Sequence, residues 1–308
     1  MRIIFMGTPG FAIPSLDILI NAGYDIVAVI TAPDRYGGRG RKSLIESEIK
    51  KYAKKKELNI LQPTNLKASA FHTKLKELKA DLQVVVAFRM LPESVWNMPP
   101  LVTWNLHGSL LPKYRGAAPI NWSIIQGDRV TGVTSFKLKH AIDTGDYLMQ
   151  REIPIYADDT AGDLHDRMQW VAADVVLETV ITIQKGQYQL HSQNDQEVSH
   201  APKLNKENTQ IDFDQEVISV VNFVRGLTPY PLSWFLLDGL QTKIHGYHIE
   251  QQTHADMPGT LLTDGKSYLK VACKSGYIVI GELQMSGKRK MEIKTFLNGY
   301  TIKGDKVG

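Results

Sequence analysis

The chain has 308 residues, enough for about two domains and at least one full-sized core, which excludes a peptide or a disulfide-stapled mini-domain. Hydrophobic residues make up 43% and charged residues 22%, with 24 Gly and 14 Pro, so disorder and collagen-like repeats are excluded too. A formal net charge of +4 gives no general basic coat, and a polyanionic partner would have to be held by local clusters of cations.

Cys273 is the only cysteine and can form no internal disulfide, and no Cys/His group has zinc-ligand spacing. A reducing, cytoplasmic setting and no metal are therefore expected. The opening MRIIFMGTPG is a short apolar run that stops at glycine and proline, and the following FAIPSLDILI is interrupted by Pro14 and Asp17. Neither a signal-peptide core nor a membrane span is expected from them.

Over the first 185 residues, short β-branched runs alternate with longer amphipathic ones: RIIF then FAIPSLDILINAG, YDIVAVIT then SLIESEIKKYAKKKE, and DLQVVVAF after SAFHTKLKELKA. This pattern predicts an α/β fold, a doubly wound and mostly parallel sheet covered on both faces, with its ligands at the carboxyl ends of the strands. A helix over Thr160–Ile183 follows, opened by a Thr160/Asp163 capping box and presenting Leu164, Met168, Val171, Val175 and Ile181 as its apolar face. The polar run 191–208 reads as a linker between a catalytic domain, 1–190, and a smaller one, 209–308. After one helical stretch, VISVVNFVRGL, that domain turns to short period-two runs, which predict a small antiparallel barrel.

The glycine turn at 7–10 lacks the spacing of a dinucleotide loop, and Gly265-Lys266-Ser267 reads as a hairpin turn. The run V102-T-W-N-L-H-G-S-L-L-P-K-Y-R-G116 carries more chemistry. On an extended strand Asn105 and His107 project from one face, while Trp104 and Leu106 project from the other into a core. The pair alone also fits a plain hydrogen-bonded strand end. It gains meaning with Asp143, which lies between the strand-like runs 132–140 and 147–155. An amide that donates to a developing oxyanion, an imidazole that moves a proton and a carboxylate that holds and balances the imidazole suit acyl-type transfer, with no protein nucleophile required. Nearby Asp146 reads as a turn former.

Asn105, His107, the run 109–116 and Asp143 together resemble the formyltransferase family that uses 10-formyltetrahydrofolate. GTPGFA at 7–12, APDRYGGRGRK at 32–42, HAPKLNKE at 200–207, GLTPYP at 226–231, and GKRKM with FLNGY at 287–300 extend the resemblance along essentially the whole chain, to the branch that formylates methionyl-tRNA. The resemblance implies a Rossmann-like formyltransferase domain followed by an OB-like barrel that lies along tRNA. It makes Asn105, His107 and Asp143 the catalytic trio, moving a formyl group from the folate N10 to the α-amine of methionyl initiator tRNA. Ser109, Leu110, Leu111 and Pro112 would line the folate site, with the loop Ala87, Phe88, Arg89, Met90, Leu91 and Pro92. The loop holding Arg35, Arg39, Arg41 and Lys42 would meet the tRNA acceptor stem, and Lys288, Arg289 and Lys290 would add phosphate contacts. A monomer is expected.

Two departures stand out, since the family frequently has Glu where Gly10 stands and Tyr-Gly where Phe88-Arg89 stands. Arg89 would then contact folate or point to solvent. Three alternatives stay open: an enzyme that formylates a sugar-nucleotide amine, a non-catalytic tRNA- or folate-binding module, and an NAD-linked dehydrogenase.

Overall fold

The structure is a computed structural model that describes residues 1–37 and 43–308. Its chain divides into two compact units: 1–119, 130–154 and 165–201 form the first, and 120–129, 155–164 and 202–308 the second. The strands run β1 (Arg2–Gly7), β2 (Asp25–Ile30), β3 (Arg35–Gly37), β4 (Ser43–Ile45), β5 (Ile60–Leu61), β6 (Leu82–Val86), β7 (Thr103–His107), β8 (Arg115–Gly116), β9 (Val130–Lys137), β10 (Tyr147–Pro154) and β11 (His200–Ala201). The helices are α1 (Ile13–Asn21), α2 (Glu48–Lys55), α3 (Ser69–Glu77), α4 (Glu93–Trp96), α5 (Pro119–Ile125) and α6 (Ala161–Lys185), then α7 (Val217–Gly226) and α8 (Ile293–Gly299).

Seven strands of the first unit form one sheet in the order β10-β9-β7-β6-β1-β2-β5. It is parallel from β5 to β7 and antiparallel between β7, β9 and β10. Strand β6 is buried throughout, as a strand covered on both faces must be. On one face Ile4, Met6, Val85 and Ile30 pack with Phe71 and Leu75 of α3 and Val95 of α4. On the other, Val84, Leu106 and Ser135 meet Val176 and Thr179 of α6.

Local chemistry sets the helix ends. Ser47 caps α2 by accepting from Lys50 N, with Glu48 in the first turn and Lys54 and Lys55 in the last. The box before α6 is present: Thr160 N donates to Asp163 at 2.9 Å and Asp163 N to Thr160 Oγ1 at 3.2 Å. The apolar face of α6 departs from the expectation at Ile181, which is exposed, while Val180 and Ile183 are buried instead.

The second unit holds β12 (Trp234–Leu237), β13 (Leu240–Glu250), β14 (Leu261–Thr263), β15 (Leu269–Cys273), β16 (Gly276–Met285) and β17 (Met291–Glu292). They pair in the order β12-β13-β16-β15-β14, with β17 on β16. The sheet is antiparallel and remains open between β12 and β14, a half-barrel. A register shift at Gly246 bends β13. Phe235, Val271, Ile278 and Ile280 of the sheet pack with Val217, Val220 and Val224 of α7 and Phe296 and Leu297 of α8. Gly265-Lys266-Ser267 is a turn between β14 and β15, held by Asp264, which accepts from Lys266 N and Ser267 N.

The run 191–208 divides between the units: residues 191–201 belong to the first, where β11 pairs in parallel with β8, and residues from 202 on belong to the second.

Candidate active site

The candidate trio lies wholly within the first unit. Strand β7 alternates as its sequence requires: Trp104 and Leu106 are buried core residues, and Asn105 and His107 share the opposite orientation. Trp104 is fixed by donating Nε1 to Leu101 O. Asn105 is half-buried, and its side-chain amide has no hydrogen-bond partner among the described residues. His107 closes the strand and is 6% exposed.

His107 Nε2 lies 2.8 Å from Tyr114 O. A carbonyl can only accept, so Nε2 carries the hydrogen and Nδ1 is left facing Asp143, whose Oδ2 is 3.8 Å away. That separation is within ion-pair range but too long for a direct hydrogen bond. The Tyr114 backbone thus holds the ring at Nε2, and the carboxylate expected to hold it stands at ion-pair distance from Nδ1.

Asp143 sits at the tip of the β9–β10 connection with φ +55, in the left-handed region that Asp and Asn tolerate better than most residues. Its Oδ2 accepts from Gly116 N at 2.9 Å. Gly145, two residues on, has no alternative, since a Cβ there would lie 1.7 Å from Lys137 O. Asp146 pairs with Lys139 at 2.9 Å, which ties the same loop across its base.

The expected folate segments flank this centre. Ser109 is fully buried and donates its hydroxyl to Lys113 O at 2.6 Å, so its side chain closes its own loop. Thr134 donates to Ser109 O and accepts from Leu111 N, and Gln150 donates to Leu111 O, which fixes the run 109–112 against the sheet. Leu111 and Pro112 are buried and Leu110 is half-buried. In the other loop Ala87 has φ +50, Met90 is 76% exposed, and Phe88 and Leu91 join the apolar cluster around Val85 and Val95. Arg89 is exposed, and its guanidinium donates to Pro63 O and Thr64 O.

Of the expected tRNA contacts, Arg35 stands exposed on β3, while Arg39, Arg41 and Lys42 lie outside the described residues. Lys288, Arg289 and Lys290 form an exposed turn after β16, where Lys290 pairs with Glu282 at 2.9 Å. Among the described residues no three His, Cys, Asp or Glu side chains gather as a metal site, and no helix is long and apolar enough to cross a membrane. Sequence reasoning missed the partners Tyr114, Gly116, Ser199 and Gln193, because backbone groups and a polar run carry no chemical signature until the fold brings them in.

Comparison with known proteins bears on this arrangement. The profile described as "Formyl transferase" matches residues 1–180, and "Formyl transferase, C-terminal domain" matches residues 203–301. Curated relatives named methionyl-tRNA formyltransferase are 44% to 46% identical over nearly the whole chain. That of Bacteroides fragilis is 45% identical, covering 98% of this chain and 96% of its own. The chain belongs to the methionyl-tRNA formyltransferase family. It is a formyltransferase with a Rossmann-like first domain and an antiparallel half-barrel second one. Solved structures share the fold. The N-formyltransferase of Helicobacter canadensis, in complex with folinic acid and dTDP-3-aminofucose, matches with TM-score 0.69 and 21% identity over 92% of this chain and 99% of its own. HypX of Aquifex aeolicus in complex with tetrahydrofolic acid matches with TM-score 0.66 and 17% identity over 98% of this chain and 48% of its own.

Proposed function

We propose that Asn105, His107 and Asp143 carry the transfer of a formyl group from 10-formyltetrahydrofolate to the free α-amine of methionyl initiator tRNA. One observation supports this above the others: the imidazole and a carboxylate 36 residues away in sequence face each other across 3.8 Å, beside an amide that has no partner among the described residues.

In this reading the α-amine attacks the formyl carbon and a tetrahedral oxyanion forms. The Asn105 amide donates to that oxygen, where a fixed dipole stabilises developing charge without reorganising. The attacking nitrogen must lose a proton and the folate N10 must gain one as the C–N10 bond breaks. His107 Nδ1 and Asp143 Oδ2 stand on either side of that exchange, directly or through one water. Nε2 stays engaged with Tyr114 O and keeps the ring from turning.

The folate would lie between the loops 87–92 and 109–112, with backbone and apolar contacts dominant, because the Ser109 hydroxyl is committed to Lys113 O and the exposed Arg89 guanidinium already donates to Pro63 O and Thr64 O. Relatives' names and the folate-bound neighbours support this class of donor. Arg35, Arg39, Arg41 and Lys42 would meet tRNA phosphates, with Lys288, Arg289 and Lys290 as secondary contacts. All three reacting residues come from one chain, so one copy suffices, and the cytoplasm is where both substrates would be met.

The test is incubation with 10-formyltetrahydrofolate and methionylated initiator tRNA, followed by electrophoresis of the product. Formylation is expected, and His107→Ala should lower its rate by about 10²–10⁴ while folate still binds. Formylation of an amino-sugar nucleotide with no product on tRNA would overturn the substrate assignment.

A further inference from the structure

The trio does not hold itself in place, and the group that holds it lies in the polar run that reads as a linker. Gln193 Nε2 donates to Asp143 O and to Gly145 O, both at 2.8 Å. The same amide's Oε1 accepts from Arg115 Nε at 3.0 Å and Nη2 at 2.7 Å. All four hydrogen-bonding positions of one side chain are therefore used on two loops, the one that carries the carboxylate and the one that carries its neighbours.

The second loop matters because its backbone touches both reacting side chains. Tyr114 O receives His107 Nε2, and Gly116 N donates to Asp143 Oδ2. That loop is in turn pinned by the segment that follows Gln193. Tyr114 N donates to Ser199 Oγ and Arg115 N to Ser199 O, both at 2.9 Å, and Ala117 N donates to Ala201 O at 2.8 Å. Gly116 must be glycine here, since a Cβ would stand 2.5 Å from Ala201 O. Asp143 also holds an unfavourable φ of +55, a conformation that persists only where surrounding contacts over-determine it.

We propose that Gln193 is a positioning residue for formyl transfer, setting the Asp143–His107 separation by locking the carboxylate's loop to the loop that orients the imidazole. The proposal rests on the trio reading above. It assigns to residues 193–201 a part in the catalytic centre although none of them touches a reacting atom.

Gln193→Glu is nearly isosteric, still accepts from Arg115, and cannot donate to the two carbonyls. Gln193→Ala removes both halves of the lock. Each should lower kcat for formylation by about 10- to 100-fold, with KM for folate and for tRNA within about twofold, because a misplacement on the order of 1 Å is enough for such a loss. Each should also displace a limb of the kcat–pH profile, which a loss of stability alone would not do. The decisive measurement repeats Gln193→Glu in an Asp143→Asn background, where it should cost less than about threefold if it works through the carboxylate. An undiminished kcat in both Gln193 variants overturns the proposal, as does an equal loss with and without Asp143 or a loss confined to KM for tRNA. Full activity in Asp143→Asn alone would instead sink the carboxylate's role, and this proposal with it.

Discussion

At the scale of single residues, the candidate site separates groups kept free for substrate from groups committed to structure. Asn105 is the clearest free group, since its amide makes no bond within the described residues. Asn105→Asp should therefore leave the thermal midpoint nearly unchanged while lowering kcat by about 10²–10³, the usual consequence of losing one oxyanion donor. A large fall in the midpoint would show that the amide has a structural partner after all. Gly145→Ala should do the reverse of sparing structure. With Lys137 O only 1.7 Å from the new Cβ, the loop must move and carry Asp143 with it, lowering both the midpoint and kcat. Circular dichroism melts beside steady-state rates distinguish the two patterns.

Much of this scale is legible in the sequence, within a physical limit. Alternation along β7 is enough to put Asn105 and His107 on one side and Trp104 in the core, because a strand has period two. The Thr160/Asp163 box is likewise readable, since both partners lie within four positions. What cannot be read is any contact made by a backbone carbonyl or by residues far apart in the chain. Tyr114 O, the hold on Asp143 from 50 residues away, and the capture of Arg89 by two carbonyls all depend on closure of the fold. Ile181 is a smaller case of the same kind: an apolar residue marks the helix, but its outward position follows from the neighbours it meets.

At the scale of elements, the β3–β4 hairpin illustrates how an exposed arm is anchored. Its strands expose apolar side chains at Tyr36, Leu44 and Ile45, and its two ends are joined by one cation. Lys50 Nζ meets Asp34 before the hairpin and Glu46 after it, with only 11% of the lysine side chain exposed. Gln62 donates to Asp34 Oδ1, and the Thr31 and Ser47 hydroxyls meet at 2.8 Å just below. Hydrogen bonds from Lys50 and Gln62 lower the Asp34 carboxyl, those from Lys54 and Lys50 lower the Glu46 carboxyl, and the bond to Asp34 raises Lys50. A lowered carboxyl contributes stability that is complete above its ordinary range, near 3.8 for Asp34 and 4.5 for Glu46, and is lost as pH falls through the lowered values. Lys50→Met should therefore lower the thermal midpoint most near pH 7, and the gap to the parent should close as the buffer is taken below about pH 4. A gap that stays constant from pH 7 to 3 would exclude the clamp.

At the scale of the whole molecule, the second unit recruits chain from three places. Arg225, 6% exposed, donates to Asp159 O at 2.9 Å and to Tyr156 O, and Asn121 Nδ2 donates to Gly226 O at 2.7 Å, all inside that unit. Burial pushes the Arg225 guanidinium below its ordinary value, so its carbonyl acceptors are needed to keep a cation there. A fragment cut at the polar run, residues 202–308, lacks residues 121, 156 and 159 and leaves that cation with the Asn222 side chain but without its two carbonyl acceptors. It should melt well below the intact protein or fail to fold, and in the full chain Arg225→Met should be milder than the truncation. A fragment that melts as sharply and as high as the parent would contradict this.

Sequence alone suggested two bodies strung end to end and joined by a linker at 191–208. The threading says otherwise. Because the first unit's polypeptide leaves it twice, at 120–129 and 155–164, to contribute to the second, a single proteolytic nick near residue 202 should release a tail lacking those segments, and a gene fusion that borrows only the tail should inherit an unfinished object. Synthesis follows the same order in time: the segments 120–129 and 155–164 leave the ribosome before the strands of the half-barrel they join.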